Sequence, residues 1–266
     1  IQLSYHALHY PQNALASTRQ TYQNRPRGRV HNNVNRAAIT QDLDTGVGMI
    51  VDEIEKLGIG DHTYLIYMSD NGAAGRSQGV LRGGKGSLWE GGIRVPLIIR
   101  GPGIQPNSFC HEPVVGYDLF PTFCELGGVP QPMPTGIEGG NIAPLMFGGK
   151  SPVERPSQEL VFHFPHYQNA NTPHSAIIRG NLKLLKFYET DQVQLFDLSK
   201  DIGEENNLAK HLPEETAQLH QRLGQYIKSV DAQMPESNPN YNPPNSSGQT
   251  GPENGTETEP KTTDFN

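Results

Sequence analysis

The spacing of apolar side chains changes along the chain, and in the first half it predicts an alternation of helices and strands. In residues 35–57 the apolar positions recur on one helical face and Gly58 follows them, which predicts a long helix that ends at this glycine. The residues on that face are Ile39, Leu43, Val47, Ile50 and Ile54. Residues 64–69 and 95–100 are short apolar runs typical of buried strands, and residues 119–126 predict a second helix.

The second half has a different pattern, in which short apolar runs are separated by turn residues. Four such runs occur, at residues 160–164, 175–179, 182–188 and 194–198. We expect them to form an antiparallel sheet that is closed by a helix over residues 213–230. We also expect short strands at residues 1–9 and 113–117.

These patterns predict an α/β fold, with a mostly parallel or mixed sheet flanked by helices and a small C-terminal α+β subdomain. The subdomain would contain the four-stranded antiparallel sheet and the last helix. The predicted boundaries are residues 1–150 for the core, 151–235 for the subdomain and 236–266 for a tail. The tail carries almost no apolar residues and cannot offset its chain entropy by burial, so we expect it to be disordered.

Composition gives evidence on three classes of protein: nucleic-acid-binding, membrane-spanning and disulfide-rich proteins. The net charge of −7 over 266 residues gives no support for nucleic-acid binding. The sequence has no run of about 18 apolar residues, so no membrane span is expected. Its two cysteines do not make a disulfide framework.

Residues 69–96 carry the most informative chemistry. Asp70 and Asn71 directly follow the first predicted core strand, at the edge where open α/β sheets bind ligands. Their oxygens are hard donors that suit Ca²⁺ or Mg²⁺. Lys85 stands among glycines and can face an anionic oxygen. An Asp-Asn-Gly triplet alone is usually a turn. The loop also fails the phosphate-binding pattern, because Gly86 stands where that pattern has Ser or Thr.

Taken whole, residues 69–96 resemble the sulfatase family, the formylglycine-dependent members of the alkaline-phosphatase-like superfamily. The segment Leu8-His9-Tyr10-Pro11 is similar to the family's His-x-Pro segment. Residues 41–48 resemble the family's helix before the Asp-Asn-Gly strand, and residues 117–122 resemble its Asp-x-x-Pro-Thr helix start. Residues 195–209 resemble its C-terminal strand and turn. The resemblance covers roughly residues 1–242.

The resemblance implies a sulfuric ester hydrolase that cleaves an aryl or carbohydrate sulfate, with a sulfated small molecule or carbohydrate as its partner. It implies one divalent cation, usually Ca²⁺, held in part by Asp70 and Asn71. It also implies that Lys85 and His9 contact the sulfate and act in catalysis. His163 and His166 are candidates for a substrate subsite, and the alternative is that they are solvent-facing histidines at a strand edge. The family is found in secreted, periplasmic or lysosomal settings.

One departure from the family matters as much as the match. Sulfatases carry Cys-x-Pro-x-Arg or Ser-x-Pro-x-Arg, whose first residue becomes formylglycine and attacks sulfur. Neither Cys110 nor Cys124 fits this motif, and Ser-x-Pro-x-Arg is absent from the sequence. The early Asp-Asp metal ligands of the family are absent as well. We therefore expect this chain to be the C-terminal portion of a sulfatase, inactive alone, whose formylglycine lies in a preceding segment.

Two other interpretations stay open at this point. One is a phosphoryl-transfer hydrolase of the same superfamily, although such enzymes normally use two zinc ions held by several His and Asp ligands. The other is a non-catalytic module that binds sulfated ligands. For the residues around the loop, we expect Glu90 and Arg94 to hold it by ion pairing. We expect Lys183 to lie in a C-terminal strand away from the chemistry.

Overall fold

A computed structural model describes residues 1–29, 31–74, 79–129, 132–168 and 171–238 of the chain. Residues 1–233 form one compact unit, and residues from Met234 onward form a second. Most of the predicted tail, residues 239–266, lies outside the described residues. All the elements below belong to the first unit.

Two helices open the chain. Helix α1 spans Ala16–Gln23 and helix α2 spans Val34–Lys56. The side chain of Asn33 caps α2 by accepting a hydrogen bond from the backbone N–H of Arg36, at 2.9 Å. Asp42 of α2 holds the start of α1, since its carboxylate accepts hydrogen bonds from the backbone N–H of Leu15 and from the hydroxyl of Thr18. The long predicted helix is confirmed, whereas α1 was not predicted.

The strands of the first half are short. Strand β1 (Leu65–Met68) pairs with strand β2 (Leu97–Arg100), and the two run antiparallel. Three helices belong to the same region: α3 (Glu90–Ile93), α4 (Leu119–Leu126) and α5 (Ala143–Met146). The α/β class is confirmed, but all strand pairs among the described residues are antiparallel, and no parallel pair of the expected core sheet is seen there.

The C-terminal sheet matches the prediction closely. Its strands are β3 (Leu160–Phe164), β4 (His174–Arg179), β5 (Leu182–Phe187) and β6 (Val193–Asp197). They lie in the order β3-β4-β5-β6, and each neighbouring pair is antiparallel. Helix α6 spans Pro213–Ser229.

Both faces of this sheet are covered, one by helix α6 and the other by the loop between β1 and β2. One face packs against α6 through a cluster that contains Ile177, Leu184, Leu195, Leu219, Leu223 and Ile227. The other face packs against the loop between β1 and β2, through a cluster that contains Leu88, Trp89, Ala176, Leu185 and Phe196. The sheet is therefore the middle layer, and the loop that carries Lys85 is part of an outer layer.

Two predicted strands are wrong. Residues 1–9 form no strand: Ile1, Leu3 and Leu8 are exposed, and Tyr5 contacts α2, where its hydroxyl sits 3.1 Å from the position that a Cβ on Gly46 would take. Residues 113–117 form no strand either, because a 3₁₀ turn over Gly116–Asp118 leads directly into α4. The buried carboxylate of Asp118 fixes this turn by accepting a hydrogen bond from the backbone N–H of Val115 and by pairing with Arg155 at 2.7 Å.

Candidate active site

The site begins where β1 ends. Asp70 is exposed and Asn71 is half-buried directly after the strand. Ser69 holds this turn, since its hydroxyl donates a hydrogen bond to the carbonyl of Asn71 at 3.0 Å. Gly72 follows, and its backbone N–H donates to the carbonyl of Gly92 at 2.9 Å. A Cβ on Gly72 would lie 1.9 Å from the carbonyl oxygen of Gly91, so only glycine permits this approach.

The lysine loop lies against this turn. The backbone N–H of Lys85 donates to the carbonyl of Ala73 at 2.8 Å. Ser87 closes the loop, because its hydroxyl donates to the carbonyl of Gly84 at 2.8 Å. Gly86 has a φ of +84°, and a Cβ there would lie 2.9 Å from the side chain of Gln168. The fold therefore brings the Asp70–Asn71 turn and the Lys85 loop into backbone contact.

Apolar packing fixes the end of the loop on the C-terminal sheet. Leu88 and Trp89 are both more than nine-tenths buried. The Trp89 ring lies 5.8 Å from the ring of Phe187 and 5.8 Å from the ring of Phe196. The guanidinium group of Arg82 lies over the Trp89 ring, with its carbon 3.7 Å from the ring centre. The loop thus cannot shift without disturbing the core of the sheet.

A buried ion network adds a second anchor. Lys183 on β5 is fully buried, and its Nζ lies 2.8 Å from Glu90 Oε1 and 2.8 Å from Glu204 Oε1. The other oxygen of Glu90 pairs with Arg94 at 2.6 Å. The other oxygen of Glu204 accepts a hydrogen bond from the backbone N–H of Glu90 at 2.7 Å. These contacts confirm the ion pair expected for Glu90 and Arg94.

The same network corrects the expectation for Lys183. Its strand does belong to the C-terminal sheet, but its side chain points to the loop side and ends at Glu90, the first residue of α3. Period-2 alternation along β5 places Lys183 on the same face as Leu185 and Phe187, which pack in the cluster around Trp89. Lys183 is therefore a support of the lysine loop and not a residue remote from it.

The two carboxylates of the network differ in their titration. Burial would raise the pKa of Glu90, but Lys183 and Arg94 outweigh it and hold that pKa below the ordinary value. Burial raises the pKa of Glu204, and Lys183 offsets this only in part. The physical difference is that Glu90 has two cationic partners and Glu204 has one.

His174 provides a third anchor, from β4. Its ring is 1% exposed, and its Nε2 accepts a hydrogen bond from the backbone N–H of Leu88 at 2.9 Å. Its Nδ1 lies 2.6 Å from the carbonyl oxygen of Thr172. The ring stacks on Phe187, with the ring centres 5.5 Å apart. Burial lowers the pKa of His174, and the charge of Lys183 lowers it further.

The sequence patterns did not predict Lys183, Glu204 and His174 as parts of this region. A signal existed for Lys183, because the alternation in β5 aligns it with apolar residues that face inward. No comparable signal existed for His174 or Glu204. The partners of both lie more than 80 positions away in the chain, with separations of 86 residues for His174 and Leu88 and 114 for Glu204 and Glu90.

The predicted histidines lie in three different environments. His9 is exposed, and its Nδ1 lies 2.8 Å from the carbonyl oxygen of Tyr10 in its own segment. His166 is exposed next to β3, and its ring centre lies 4.0 Å from that of Phe164. Phe164 packs on the loop side of the sheet, which places His166 at the rim of that face.

His163 lies apart from the lysine loop. Its Nδ1 is 2.6 Å from the hydroxyl of Ser175, and its Nε2 is 2.7 Å from the carbonyl oxygen of Gln233. Alternation along β3 places it with Val161, which packs on the α6 side of the sheet. Both ring nitrogens are therefore used within the protein, on the face opposite Lys85, and the predicted substrate contact gains no support.

The metal-ligating potential of the site is limited to what the strand end offers. Asp70 and Asn71 supply a carboxylate and an amide oxygen, which fit a hard cation such as Ca²⁺. Across the part of the chain that the structure describes, no group of three or more His, Cys, Asp or Glu side chains is arranged to hold a metal ion. The two oxygens could thus supply only part of a Ca²⁺ coordination shell, which takes six to eight ligands.

Asp70 and Asn71 at the end of β1 and the glycine-framed Lys85 lie on segments that a backbone hydrogen bond joins, and residues of these types suit a hard cation and an anionic ester. Two family models match the chain. One is described as Sulfatase and matches residues 1–129, and the other is described as N-sulphoglucosamine sulphohydrolase, C-terminal, and matches residues 84–233. The chain therefore belongs to the sulfatase family.

Individual relatives agree with this assignment. The chain is 33% identical over 220 residues to a sulfatase of Formosa agariphila, an alignment that covers 75% of this chain and 40% of that protein. It is 31% identical over 221 residues to arylsulfatase A of Homo sapiens, with 73% of this chain and 42% of that protein covered. The chain thus spans less than half the length of these relatives.

A solved structure confirms the fold. Ps i-CgsB superimposes with a TM-score of 0.72 at 26% identity, over 88% of this chain and 50% of that one. The same protein in complex with k-i-k-neocarrahexaose gives a TM-score of 0.70 at 26% identity, over 86% of this chain and 49% of that one. Among the described residues, no helix is both long and apolar enough to cross a membrane.

Proposed function

We propose that this chain forms the C-terminal part of a sulfuric ester hydrolase that removes sulfate from an aryl or carbohydrate ester. The observation that carries the proposal is the contact between the Asp70–Asn71 turn and the Lys85 loop, in a chain that belongs to the sulfatase family. Hydrolysis of a sulfate ester needs a cation that polarises the sulfuryl oxygens and a group that stabilises the leaving oxygen. The backbone contact supports the proposal because residues that suit both tasks lie on the two joined segments.

In this proposal Lys85 faces the sulfate. Its backbone is tied to Ala73, and its loop is closed by Ser87, so the base of the side chain has a defined position. A compact ammonium on a fixed loop can stabilise the charge that grows on the leaving oxygen without reorganisation. His9 would be the second cationic contact to the sulfate, and His166 would border the part of the substrate that leaves.

The residues that would hold the Ca²⁺ from this chain are Asp70 and Asn71, both at the end of β1. When bound, the ion would polarise the sulfuryl oxygens as a Lewis acid. The remaining ligands and the formylglycine would come from a segment of the complete enzyme that carries the Cys/Ser-x-Pro-x-Arg motif. The role of the present residues is to place Lys85 at a fixed distance from the metal-binding turn.

The substrate proposal rests on the relatives. One is named arylsulfatase A, and a structural neighbour was solved with k-i-k-neocarrahexaose bound. Sulfated aryl compounds and sulfated carbohydrates are therefore the two classes to test. We also propose that the enzyme acts outside the cytoplasm, in a secreted, periplasmic or lysosomal setting, since one relative is described as an extracellular sulfatase.

The test uses the longer gene product that contains this chain. Its coding sequence should carry Cys-x-Pro-x-Arg or Ser-x-Pro-x-Arg in frame, upstream of Ile1. The purified product should release sulfate from 4-nitrocatechol sulfate or from a sulfated oligosaccharide, and the Lys85→Ala variant should not. Faster release of phosphate from an aryl phosphate would favour a phosphoryl-transfer hydrolase instead. Sulfated-ligand binding without turnover of either ester would favour a binding module.

A further inference from the structure

We infer that His174, in its neutral form, is a positioning residue that holds the Lys85 loop in place, and that protonation of His174 releases this anchor. Only the expected effect of His174 on kcat rests on the proposed function. The anchor itself stands on the hydrogen bonds, burial and packing of residues in β4, β5 and the loop.

The hydrogen bonds of His174 admit one protonation state. The backbone N–H of Leu88 can only donate, so Nε2 of His174 must present its lone pair to it. The carbonyl of Thr172 can only accept, so Nδ1 must carry the proton. A second proton would place an N–H of the ring against the N–H of Leu88. Protonation therefore replaces an attraction by a repulsion and leaves a buried donor without an acceptor.

The ring has little freedom to escape this conflict. His174 is 1% exposed and stacks on Phe187, with the ring planes 12° apart. Phe164 lies on another side, with its ring centre 6.1 Å away. A charged ring could reach water only by leaving this packing, and that movement would also withdraw the anchor from Leu88.

The charged groups around His174 do not compensate a positive ring. From β5, the ammonium of Lys183 acts on it unfavourably, and both carboxylates near that ammonium, Glu90 and Glu204, are already paired with it. Lys186 of β5 is paired with Asp191. From the β3 side, His166 is exposed, and residues 81–89 of the loop carry two cations, Arg82 and Lys85, and no carboxylate. Burial and Lys183 together lower the pKa of His174.

The path from His174 to Lys85 is short and rigid. Leu88 follows Ser87, whose hydroxyl donates to the carbonyl of Gly84 and accepts from the backbone N–H of the same glycine. Lys85 lies between these two residues, and its own N–H is bonded to Ala73. Loss of the Leu88 anchor would loosen the loop between Lys85 and Leu88, while the packing of Trp89 and the Glu90–Lys183 pair still hold the residues that follow.

The direction of the pH effect follows from the lowered pKa. The ordinary pKa of histidine is 6.5, and that of His174 in the folded protein is lower. The unfolded chain therefore takes up a proton before the folded chain does, and stability is lost as the pH falls below about 6.5. The loop anchor is complete above this pH and fails as the pH falls through the folded pKa.

The primary experiment measures amide hydrogen exchange of Leu88, corrected for intrinsic rates, in a series from about pH 7.5 downward through the range in which the protein stays folded. Protection of the Leu88 amide should fall about tenfold or more as His174 takes up its second proton, which is the scale of an unsatisfied buried donor. The internal reference is the Gly91 amide, which donates to the carbonyl of Arg82 in the same loop and has no titratable acceptor. Its protection should change much less.

Variants separate positioning from general stability. Gln at position 174 can accept from Leu88 and donate to Thr172 without titrating, so His174→Gln should keep Leu88 protected throughout the pH series. His174→Phe should lose the protection at every pH. His220→Gln, on α6 at the other face of the sheet, is the matched histidine control and should leave the pH response of Leu88 intact.

In the active longer enzyme, His174→Phe should lower kcat, and His174→Gln should restore most of it while flattening the acid limb of the kcat profile.

Equal pH responses of the Leu88 and Gly91 amides, or an unchanged response in His174→Gln, would overturn the anchor. A confirmed anchor with no effect of His174→Phe on kcat would overturn the positioning role. Because amide exchange needs no catalysis, a failure of the sulfatase proposal would leave the exchange result standing and is recognised separately. If His174→Phe does not fold, the wild-type and His174→Gln measurements still decide.

Discussion

The ammonium of Lys183 lies 2.8 Å from the carboxylate of Glu90, although 93 residues separate the two in the chain. Lys183 belongs to the C-terminal sheet, and Glu90 begins the short helix that follows the lysine loop. The pair therefore fastens the loop that carries Lys85 to a part of the protein that is remote in sequence. It makes the C-terminal sheet a support of the candidate active site.

We expect Lys183→Met to destabilise the protein strongly. Methionine preserves most of the volume, but Glu204 would remain buried without its cation and Glu90 would keep only the half-exposed Arg94. Removing one partner of a buried ion pair typically costs about 3–5 kcal/mol in the free energy of unfolding. Denaturant unfolding followed by circular dichroism measures this change.

The control for that experiment is Lys200→Met, because the Lys200 side chain is 81% exposed. A surface substitution of this kind should change the free energy of unfolding by no more than about 0.5 kcal/mol. Adding Glu90→Gln and Glu204→Gln to Lys183→Met should recover part of the loss, since no uncompensated buried carboxylate remains and the half-exposed Arg94 can reach water. Equal stability of the Lys183→Met and Lys200→Met proteins would refute the network as an anchor.

We expect Lys85→Ala to lower kcat of the complete enzyme by about 10²–10³, the usual effect of removing one preorganised electrostatic contact. Stability should change little, because the side chain of Lys85 is only half-buried in its loop. Lys85→Arg should also fail, since a planar guanidinium does not replace a compact ammonium. Steady-state kinetics on an aryl sulfate, paired with denaturant unfolding, measure both effects.

Lys200→Ala serves as the lysine control for activity, because Lys183 is part of the loop's support and is unsuitable. Lys200 pairs with Asp197 at 2.9 Å on the surface, at the end of β6. Near-normal kcat in Lys85→Ala, together with a loss in Lys200→Ala, would show that the site lies elsewhere.

Calcium binding by the 266-residue chain alone should be weak. Asp70 and Asn71 offer two oxygen donors, whereas Ca²⁺ takes six to eight. Calorimetric titration should find no micromolar affinity in this chain and firm binding in the longer enzyme. Asp70→Ala should abolish the firm binding, and Asp61→Ala, which alters an exposed residue before β1, should not. Micromolar affinity in the isolated chain would contradict this prediction.

The isolated 266-residue chain should not turn over 4-nitrocatechol sulfate, because its sequence contains no Cys-x-Pro-x-Arg or Ser-x-Pro-x-Arg precursor of formylglycine. The measurement is release of 4-nitrocatechol by purified chain in the presence of Ca²⁺, with the longer enzyme as the positive control. Metal-dependent turnover by the isolated chain would mean that another residue supplies the nucleophile.

Much of the fold was accessible from the sequence because local patterns are strong where one face is buried. The helical spacing before Gly58 predicted α2 to within one residue at each end, and the four apolar runs predicted β3 to β6. The expected strand at residues 1–9 failed for the opposite reason. Its apolar residues Ile1, Leu3 and Leu8 are exposed and Tyr5 contacts α2, and an apolar pattern in the sequence does not show whether a neighbouring strand is available to bury it.

The sequence by itself determined the chemistry that is local: the oxygen donors after β1, the glycines that let the backbone approach closely, and the lysine among them. What holds that lysine was decided only by the tertiary structure. His174, Lys183 and Glu204 reach the loop from elements that lie about 90 or more residues further along the chain. Their pairing depends on which face of the sheet meets the loop. Because an unpaired charge is costly in a buried site, His174 is neutral there, and Lys183 must be paired with Glu90 and Glu204.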